Sequence, residues 1–252
     1  MTSINLTLPV ELVNHIIDKA VKLDPESAKT CALVCKAWVS ESQRHVFSRV
    51  DFADGNHGFK KLFTASGKHA TSVKTIYYYP SKQSLVQPPP ILDREGLRDS
   101  FPNVRKLILV QINLGKLQSI PEFTALGETG VCSLEFLDCT MNINQLADYL
   151  RSFPHLKNLS IQFPTFYGEQ KLDNPTNLPK SLSELHLSFC EDNTSQFLRR
   201  FSSFPFTFSK ITMDEVGYQT TNSLRSLLLN SKDTLTELKI HSEPPFTWRM
   251  TL

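Results

Sequence analysis

Residues 156–161, LKNLSI, and residues 182–187, LSELHL, place apolar side chains at the same three positions. The second apolar residue comes three residues after the first, and the third comes two residues later. Side chains of an extended chain alternate between two faces, so the last two apolar residues of each stretch point to the same side. Both stretches are therefore predicted to be short strands with one buried face and one solvent-facing face.

The same pattern recurs over most of the chain. Allowing for other apolar residues, it occurs in the triplets Val73/Ile76/Tyr78, Val104/Leu107/Leu109, Leu134/Leu137/Cys139, Leu156/Leu159/Ile161, Leu182/Leu185/Leu187, Phe208/Ile211/Met213 and Leu235/Leu238/Ile240. Successive triplets begin between 22 and 31 residues apart, close to the leucine-rich-repeat period of about 20 to 29 residues. Residues 73–252 thus resemble leucine-rich repeats.

The segments between the triplets favour helices, because leucine, phenylalanine or alanine recur there at helical spacing in residues 92–100, 143–152, 194–202 and 221–231. The repeat family places asparagine or cysteine three residues after each triplet, and only Asn142 and Cys190 match. The resemblance therefore implies an α/β fold, an irregular solenoid of parallel strands with helical returns.

The first 50 residues follow a helical pattern instead. Leu12, Ile16, Ile17 and Ala20 recur at three to four residues, and the segment 24–26, DPE, is a typical start for a second helix. The small apolar residues 28–35 and the stretch 38–47 complete three predicted helices. So short a unit buries only a small core. We expect a helical linker, residues 51–72, to join it to the repeats.

Two strings in this region resemble the F-box family, in the variety common in fungal multigene sets. They are Leu8-Pro9-x-Glu11-Leu12-x-x-x-Ile16-Ile17 and Cys31-Ala32-Leu33-Val34-Cys35-Lys36-Ala37-Trp38. The resemblance implies docking onto a Skp-family adaptor, which bridges to a cullin and a RING subunit. Carried over by position, the adaptor-binding residues are Leu8, Pro9, Leu12, Ile16, Val34, Cys35 and Trp38. Ile17, Leu33 and Cys31 are predicted to pack between the helices instead.

A client site is predicted on the solvent-facing side of the strands. Between the buried triplets, the first three strands carry Tyr77, Tyr79, Ile108, Val110 and Phe136, which we expect to form an exposed apolar and aromatic patch. The later strands are polar, which suits orientation of a bound segment. We therefore expect an unidentified protein client to bind here. The alternative is that the proline-rich segment 87–90 or the loop near residue 55 covers the patch.

Composition argues against several other partners. The formal net charge is only +2 and charged residues make up 21% of the chain, so we expect no binding to nucleic acid. The sequence contains neither a run of 18 apolar residues nor a signal-peptide pattern at its start. We expect a soluble protein of the cytoplasm or nucleus, with no membrane partner and with free thiols at its five cysteines.

No common catalytic motif appears in the sequence, and its seven histidines are scattered. Cys31 and Cys35 lack the second pair of ligands that a zinc site needs. We therefore expect no catalytic residue, metal or cofactor. The predicted function is that of a non-catalytic substrate-recognition subunit of a cullin-RING ubiquitin ligase. One alternative is an F-box scaffold unconnected with degradation, and a DNA-binding helix-turn-helix is disfavoured because its helices carry few basic residues.

Overall fold

A computed structural model describes residues 8–53, 70–79, 101–117, 127, 130–168, 176–188, 194–214 and 221–241. It is an α/β structure built on an open, parallel sheet of eight strands. Two further short strands, β5 and β7, form a separate pair. In chain order the strands are β1 (Arg49–Ala53), β2 (Thr75–Tyr79), β3 (Lys106–Val110), β4 (Ser133–Leu137), β5 (Thr140–Met141), β6 (Asn158–Gln162), β7 (Thr165–Phe166), β8 (Glu184–Ser188), β9 (Lys210–Asp214) and β10 (Glu237–His241). The helices are α1 (Val10–Leu23), α2 (Ser27–Cys31), α3 (Lys36–Val46), α4 (Leu114–Leu117), α5 (Ile143–Arg151), α6 (Thr194–Phe201) and α7 (Thr221–Asn230), with a 3-10 turn at Ala70–Ser72.

The N-terminal helices form a small unit with a core of its own. Pro9 precedes α1 in an extended conformation, and its carbonyl accepts hydrogen bonds from the first turn. The carboxylate of Asp24 accepts hydrogen bonds from Glu26 N at 3.1 Å and Ser27 Oγ at 3.2 Å, which turns the chain into α2. The buried core of this unit consists of Val13, Ile17 and Cys31, with Ala20, Val21 and Trp38 packed against it.

The eight strands of the main sheet follow one another in chain order, except that β5 and β7 form a separate short pair. Every pairing is parallel, and the register aligns equivalent residues across the whole sheet. One such row consists of Val50, Ile76, Leu107, Leu134, Leu159, Leu185, Ile211 and Leu238. The sheet therefore has one face of aligned apolar side chains, and we call the opposite face the polar face.

Backbone hydrogen bonds of one kind recur where each unit begins. The carbonyl of Ser48 accepts from both Lys74 N and Thr75 N, at 2.8 and 3.0 Å, and the carbonyl of Lys74 accepts from the two equivalent amides of the next strand. The same two-donor arrangement is repeated at Arg105, Cys132, Lys157, Ser183 and Ser209. Successive units are thus joined by the same pair of backbone hydrogen bonds, and at three junctions the carbonyl also accepts from a side chain, that of Cys132, Ser209 or Thr236.

Helices α5, α6 and α7 cover the apolar face of the sheet. Asn142 and Gln145 form a reciprocal capping box at the start of α5, with hydrogen bonds of 2.9 and 3.0 Å. Beneath α6, the ring of Phe201 lies between 5.1 and 6.2 Å from its neighbours Phe197, Phe204, Phe206 and Phe208. The predicted return segments 143–152, 194–202 and 221–231 therefore contain helices. The fourth, residues 92–100, lies outside the described part of the chain.

The first strand was not predicted. Residues 51–53, assigned to a helical linker, belong to β1, which pairs in parallel with β2. Val50 is buried at the position that Ile76 occupies in the next strand, and Phe47 packs against the same core. Of the remaining linker, the structure describes only the 3-10 turn at residues 70–72.

The predicted triplet of β4 begins three residues too late in the chain, an odd-numbered shift that reverses the faces of the strand. The predicted triplet was Leu134/Leu137/Cys139. In the structure, Leu109 of β3 lies opposite Phe136 of β4, so the buried triplet is Val131/Leu134/Phe136. Such a shift moves every affected side chain to the opposite face. Successive triplets from Val104 onward then begin 25 to 27 residues apart. Cys139 becomes the residue three places after the triplet, and its thiol donates hydrogen bonds to the carbonyls of Leu109 and Leu137, at 3.2 and 3.5 Å.

The last strand differs from β2, β3, β4, β6, β8 and β9 in the exposure of its core-facing side chains. Leu238 and Ile240 align with buried residues of β9, yet they are 43% and 44% exposed. The final predicted triplet therefore has the expected orientation without the expected burial.

Candidate functional site: two interaction surfaces

One candidate surface lies on the N-terminal helices. Leu12 and Ile16, one helical turn apart on α1, are 51% and 42% exposed, while their neighbours Val13 and Ile17 are buried. Leu8, Pro9, Val34 and Cys35 are also exposed. Val34 and Cys35 lie in the turn between α2 and α3, where Cys35 precedes the first residue of α3. We call these exposed residues together the helical surface.

Trp38 belongs to both the helical unit's core and its periphery. It is half-buried and packs against the cluster formed by Val13, Ile17 and Cys31. Ile17 and Cys31 are buried, as predicted, but Leu33 is 85% exposed and the prediction that it packs between helices is wrong. The reason is that α2 ends at Cys31, so Leu33 lies in the turn between α2 and α3 and not on a helix face. Leu33 adds another apolar side chain near the helical surface.

A cluster of charged side chains holds α1 against α3 beside this surface. His45 Nε2 lies 2.6 Å from Asp18 Oδ1 and 3.4 Å from Glu41 Oε1, and Arg44 contacts both carboxylates. The hydrogen bond with Glu41 raises the pKa of Arg44 above its ordinary value. Asp18, Glu41 and His45 have the ligand types of a metal site, but the Arg44 guanidinium already supplies a cation among them.

The two cysteines of this unit have different surroundings. Cys31 is buried in the small core, whereas Cys35 is exposed at the start of α3. The cluster of metal-ligand residue types found among the described residues, Asp18, Glu41 and His45, contains neither cysteine.

The predicted client patch on the sheet is only partly present. Tyr77 and Tyr79 are half-buried on the polar face, with stacked rings 6.3 Å apart, and the Arg49 guanidinium lies 3.5 Å from the centre of the Tyr77 ring. Ile108 and Val110 have the predicted orientation but are buried.

Phe136 is a clearer error in the predicted client patch. It faces the apolar side of the sheet and is fully buried, because of the register shift in β4. The expectation of five exposed apolar residues is therefore wrong. The proline-rich segment 87–90 and residue 55, the predicted alternative covers, lie outside the described residues.

The polar face instead carries a continuous series of side-chain contacts, which we call the polar relay. Lys106 Nζ lies 2.7 Å from Glu135 Oε2, and Gln162 Nε2 donates to Glu135 Oε1 at 2.9 Å and to Ser160 Oγ at 3.1 Å. The series continues over 3.3 Å from Ser160 Oγ to His186 Nδ1. Asp214 then accepts from His186 Nε2 at 2.7 Å and from His241 Nδ1 at 2.6 Å. The relay residues are Lys106, Glu135, Ser160, Gln162, His186, Asp214 and His241.

The relay determines which imidazole nitrogens carry protons. A carboxylate only accepts hydrogen bonds, so neutral His186 is protonated at Nε2 and accepts from Ser160 at Nδ1. His241 is by the same argument protonated at Nδ1. The hydrogen bond from His186, followed by that from His241, holds the pKa of Asp214 below its ordinary value.

Ser160, His186 and Asp214 are the residue types of a hydrolytic triad, but their setting differs from one. Ser160 lies within a strand paired on both sides, where ladder bonds occupy the neighbouring backbone amides. A pair of free amides, as an oxyanion hole requires, is therefore not found beside it among the described strands.

Three residues with left-handed backbone conformation border the polar face at one edge of the sheet. Gln111, Asp138 and Phe163 each directly follow a strand and have φ values of 55°, 53° and 49°. Gln111 Nε2 donates to Asp138 Oδ2 at 3.1 Å. Non-glycine residues are uncommon in this region, which costs about 1 kcal/mol or more. Neither glycine nor a turn motif in the sequence signals this edge.

Among the described helices, none combines the length with the apolar composition that a membrane span requires. No protein-family model matches the chain, and no curated protein matches it.

Proposed function

We propose that the N-terminal helices are an F-box that binds a Skp-family adaptor, and that the sheet is an irregular leucine-rich-repeat solenoid that binds a protein client. In this proposal the protein is a non-catalytic substrate-recognition subunit of a cullin-RING ubiquitin ligase, and it acts in the cytoplasm or nucleus. It brings the client to the ligase and performs no chemistry itself.

The exposure of the helical surface carries this proposal. Leu8, Leu12, Ile16 and Val34 are each more than two-fifths exposed, and the F-box resemblance assigns all four to adaptor binding. A three-helix unit with so small a core would ordinarily use such side chains for its own folding. Contiguous exposed apolar side chains mark interaction sites, and their desolvation on binding supplies most of the affinity.

The sheet supports the repeat interpretation through its regularity. Eight parallel strands in chain order share one register, and the same two-donor carbonyl begins each pairing. Cys139 stands three residues after the observed triplet, where the repeat pattern places asparagine or cysteine, and its thiol donates to two backbone carbonyls. The polar face, with its relay and the stacked Tyr77 and Tyr79, then provides the surface for the client.

Adaptor binding is tested with a double variant of the helical surface, Leu12→Ala with Ile16→Ala. Both side chains are exposed and alanine favours helix, so we expect α1 to stay folded. Loss of two interface anchors costs about 2 kcal/mol or more, so affinity for a purified Skp-family adaptor should fall by at least about 30-fold in calorimetry. Leu23→Ala is the matched control, because Leu23 is 89% exposed at the other end of α1. Unchanged adaptor affinity in the double variant would refute the docking assignment.

Client recognition is tested separately in cells. Proteins captured by the intact chain are compared with those captured by the Leu12→Ala/Ile16→Ala variant after proteasome inhibition. A client should be ubiquitinated with the intact chain and bound but unmodified with the variant. Bound proteins whose ubiquitination does not depend on Leu12 and Ile16 would favour a scaffold without a role in degradation.

A further inference from the structure

A small cleft lies between β7 and α6, and its lining shares no residue with the helical surface or the polar relay. Its volume is about 120 Å³. The lining includes Ile143 at the start of α5, Phe166, Tyr167 and Gly168 at and after β7, and Phe197 and Arg200 on α6. Nothing in the proposed adaptor or client binding uses these residues.

The floor of the cleft is aromatic and firmly held. The rings of Phe166 and Phe197 stack with centres 4.2 Å apart and an angle of 20° between their planes. Phe197 is buried and continues into the core, where its ring lies 5.1 Å from that of Phe201. Since Ile143 is also buried, this part of the cleft offers an apolar contact surface that is already in place.

One wall of the cleft carries a positive charge. Arg200 Nη1 donates to the carbonyl of Gly168, which holds the guanidinium across the opening. Among the described residues, no carboxylate forms an ion pair with Arg200. A guanidinium has five N–H donors, so several remain for a ligand, and a planar carboxylate matches them in pairs.

Another part of the lining is fixed by a tyrosine. The Tyr167 hydroxyl donates to Gln145 Oε1 at 2.8 Å, and the same oxygen accepts from Asn142 N in the capping box of α5. This part of the lining is therefore tied to the start of α5 and does not depend on a ligand for its position.

We propose that this cleft binds a small apolar group that carries a carboxylate, with the apolar part on Phe166 and Phe197 and the carboxylate on Arg200. A cavity of roughly 150 Å³ admits benzene, so a slightly smaller one accommodates a branched aliphatic side chain of about four carbons. The carboxyl-terminal leucine of a peptide and a free branched-chain acid share this chemistry.

N-acetyl-leucine is the probe that tests the proposal on the full chain, by calorimetry or by changes in the NMR spectrum. We expect binding in the millimolar range, which suits a ligand of this size. N-acetyl-leucinamide lacks the carboxylate and should bind at least about tenfold more weakly. N-acetyl-glycine lacks the apolar part and should not bind detectably. A peptide that ends in leucine distinguishes the two kinds of ligand. If it binds more tightly than N-acetyl-leucine, the ligand is a peptide terminus, and if it binds more weakly, the ligand is a free acid.

Arg200→Gln should lose at least about tenfold in affinity for N-acetyl-leucine, because glutamine can keep a hydrogen bond but not the charge. Arg199→Gln is the matched control, since Arg199 is the neighbouring, exposed residue of α6, and it should bind like the intact chain. Equal melting temperatures of the two variants exclude unfolding as the cause. Equal affinities in the two variants, or equal binding of the acid and its amide, would overturn the proposal.

Discussion

In α1, Leu12 and Ile16 are exposed beside buried Val13 and Ile17, so apolar side chains occupy two sides of the helix. In β6, Leu159 and Ile161 are buried, and the residues that alternate with them, Asn158 and Ser160, are polar. The sheet thus buries its apolar residues within the chain, whereas the helical unit leaves a large share of them in solvent. The two regions of the chain therefore differ in how much of their apolar patterning the fold itself buries.

The largest expected effect of a single change in this comparison is in the sheet. Leu159→Ala removes a buried side chain from the middle of the aligned apolar row. A cavity of this kind should lower the free energy of unfolding by about 3 to 4 kcal/mol. Urea denaturation measures it. A loss below about 1 kcal/mol would contradict the continuous core inferred from the register.

A second test uses alkaline pH. Burial raises the pKa of Cys139 from 9.0 to about 11, and burial also raises that of Tyr149. The folded state therefore keeps protons that the unfolded state loses. For Cys139 the resulting stabilisation is complete below pH 9 and disappears as the pH rises toward 11, whereas the contribution of Tyr149 begins to fall only above pH 10.

For Cys139 alone, this loss is about 2 kcal/mol by pH 10.5. Urea denaturation at pH 8 and pH 10.5 measures this loss. Between these two pH values, the free energy of unfolding of Cys139→Ala should fall by less than that of the intact chain. Equal differences would mean that this thiol is not protected in the folded state. The helical unit offers a contrast, since its Cys35 is exposed and should react with iodoacetamide while Cys139 does not.

The capping box of α5 gives an intermediate effect. Asn142→Ala removes the side chain that accepts from Gln145 N at 2.9 Å. We expect a loss of about 1 kcal/mol in the free energy of unfolding. Thermal or urea denaturation is sufficient to measure it, and an unchanged midpoint would show that the reciprocal bonds are dispensable.

The smallest effect on stability is expected on the helical surface. Leu12→Ala removes a mostly exposed side chain and should change the free energy of unfolding by no more than about 0.5 kcal/mol. Urea denaturation of this variant, set beside that of Leu159→Ala, measures the contrast between the two regions directly. If Leu12→Ala cost as much as the core variant, Leu12 would be a folding residue and the contrast would disappear.

The sequence was informative where apolar residues occupy only one face of a strand. In β6, Leu159 and Ile161 alternate with polar residues, so both orientation and burial could be predicted. In β4, residues 133–137 read SLEFL, and apolar side chains lie on both faces. Two registers were therefore compatible with the pattern, and only pairing with β3 distinguishes them. Phe136 was consequently assigned to the wrong surface.

Other features depended on contacts between distant residues. The later strands were predicted to be polar on their solvent-facing side, which agrees with the positions of Ser160, His186 and Asp214 in the polar relay. Glu135 was misplaced by the register error in β4. The hydrogen bonds of the relay join residues about one unit apart, such as Ser160 and His186, and so require the register of the folded sheet. Burial of Ile108 and Val110 was likewise unpredictable, because side-chain alternation specifies a face but not its exposure.

The row of two-donor carbonyls has a consequence for how such a chain can evolve. Ser48, Lys74, Arg105, Cys132 and Lys157 have little in common as side chains, yet their carbonyls make the same contacts. Substitutions at these positions can therefore change the side chain without disturbing the backbone hydrogen bonds that join successive units. Return segments can also lengthen or shorten, as long as the chain comes back to the same carbonyl. A chain of this design can change much of its sequence and keep its strands in place.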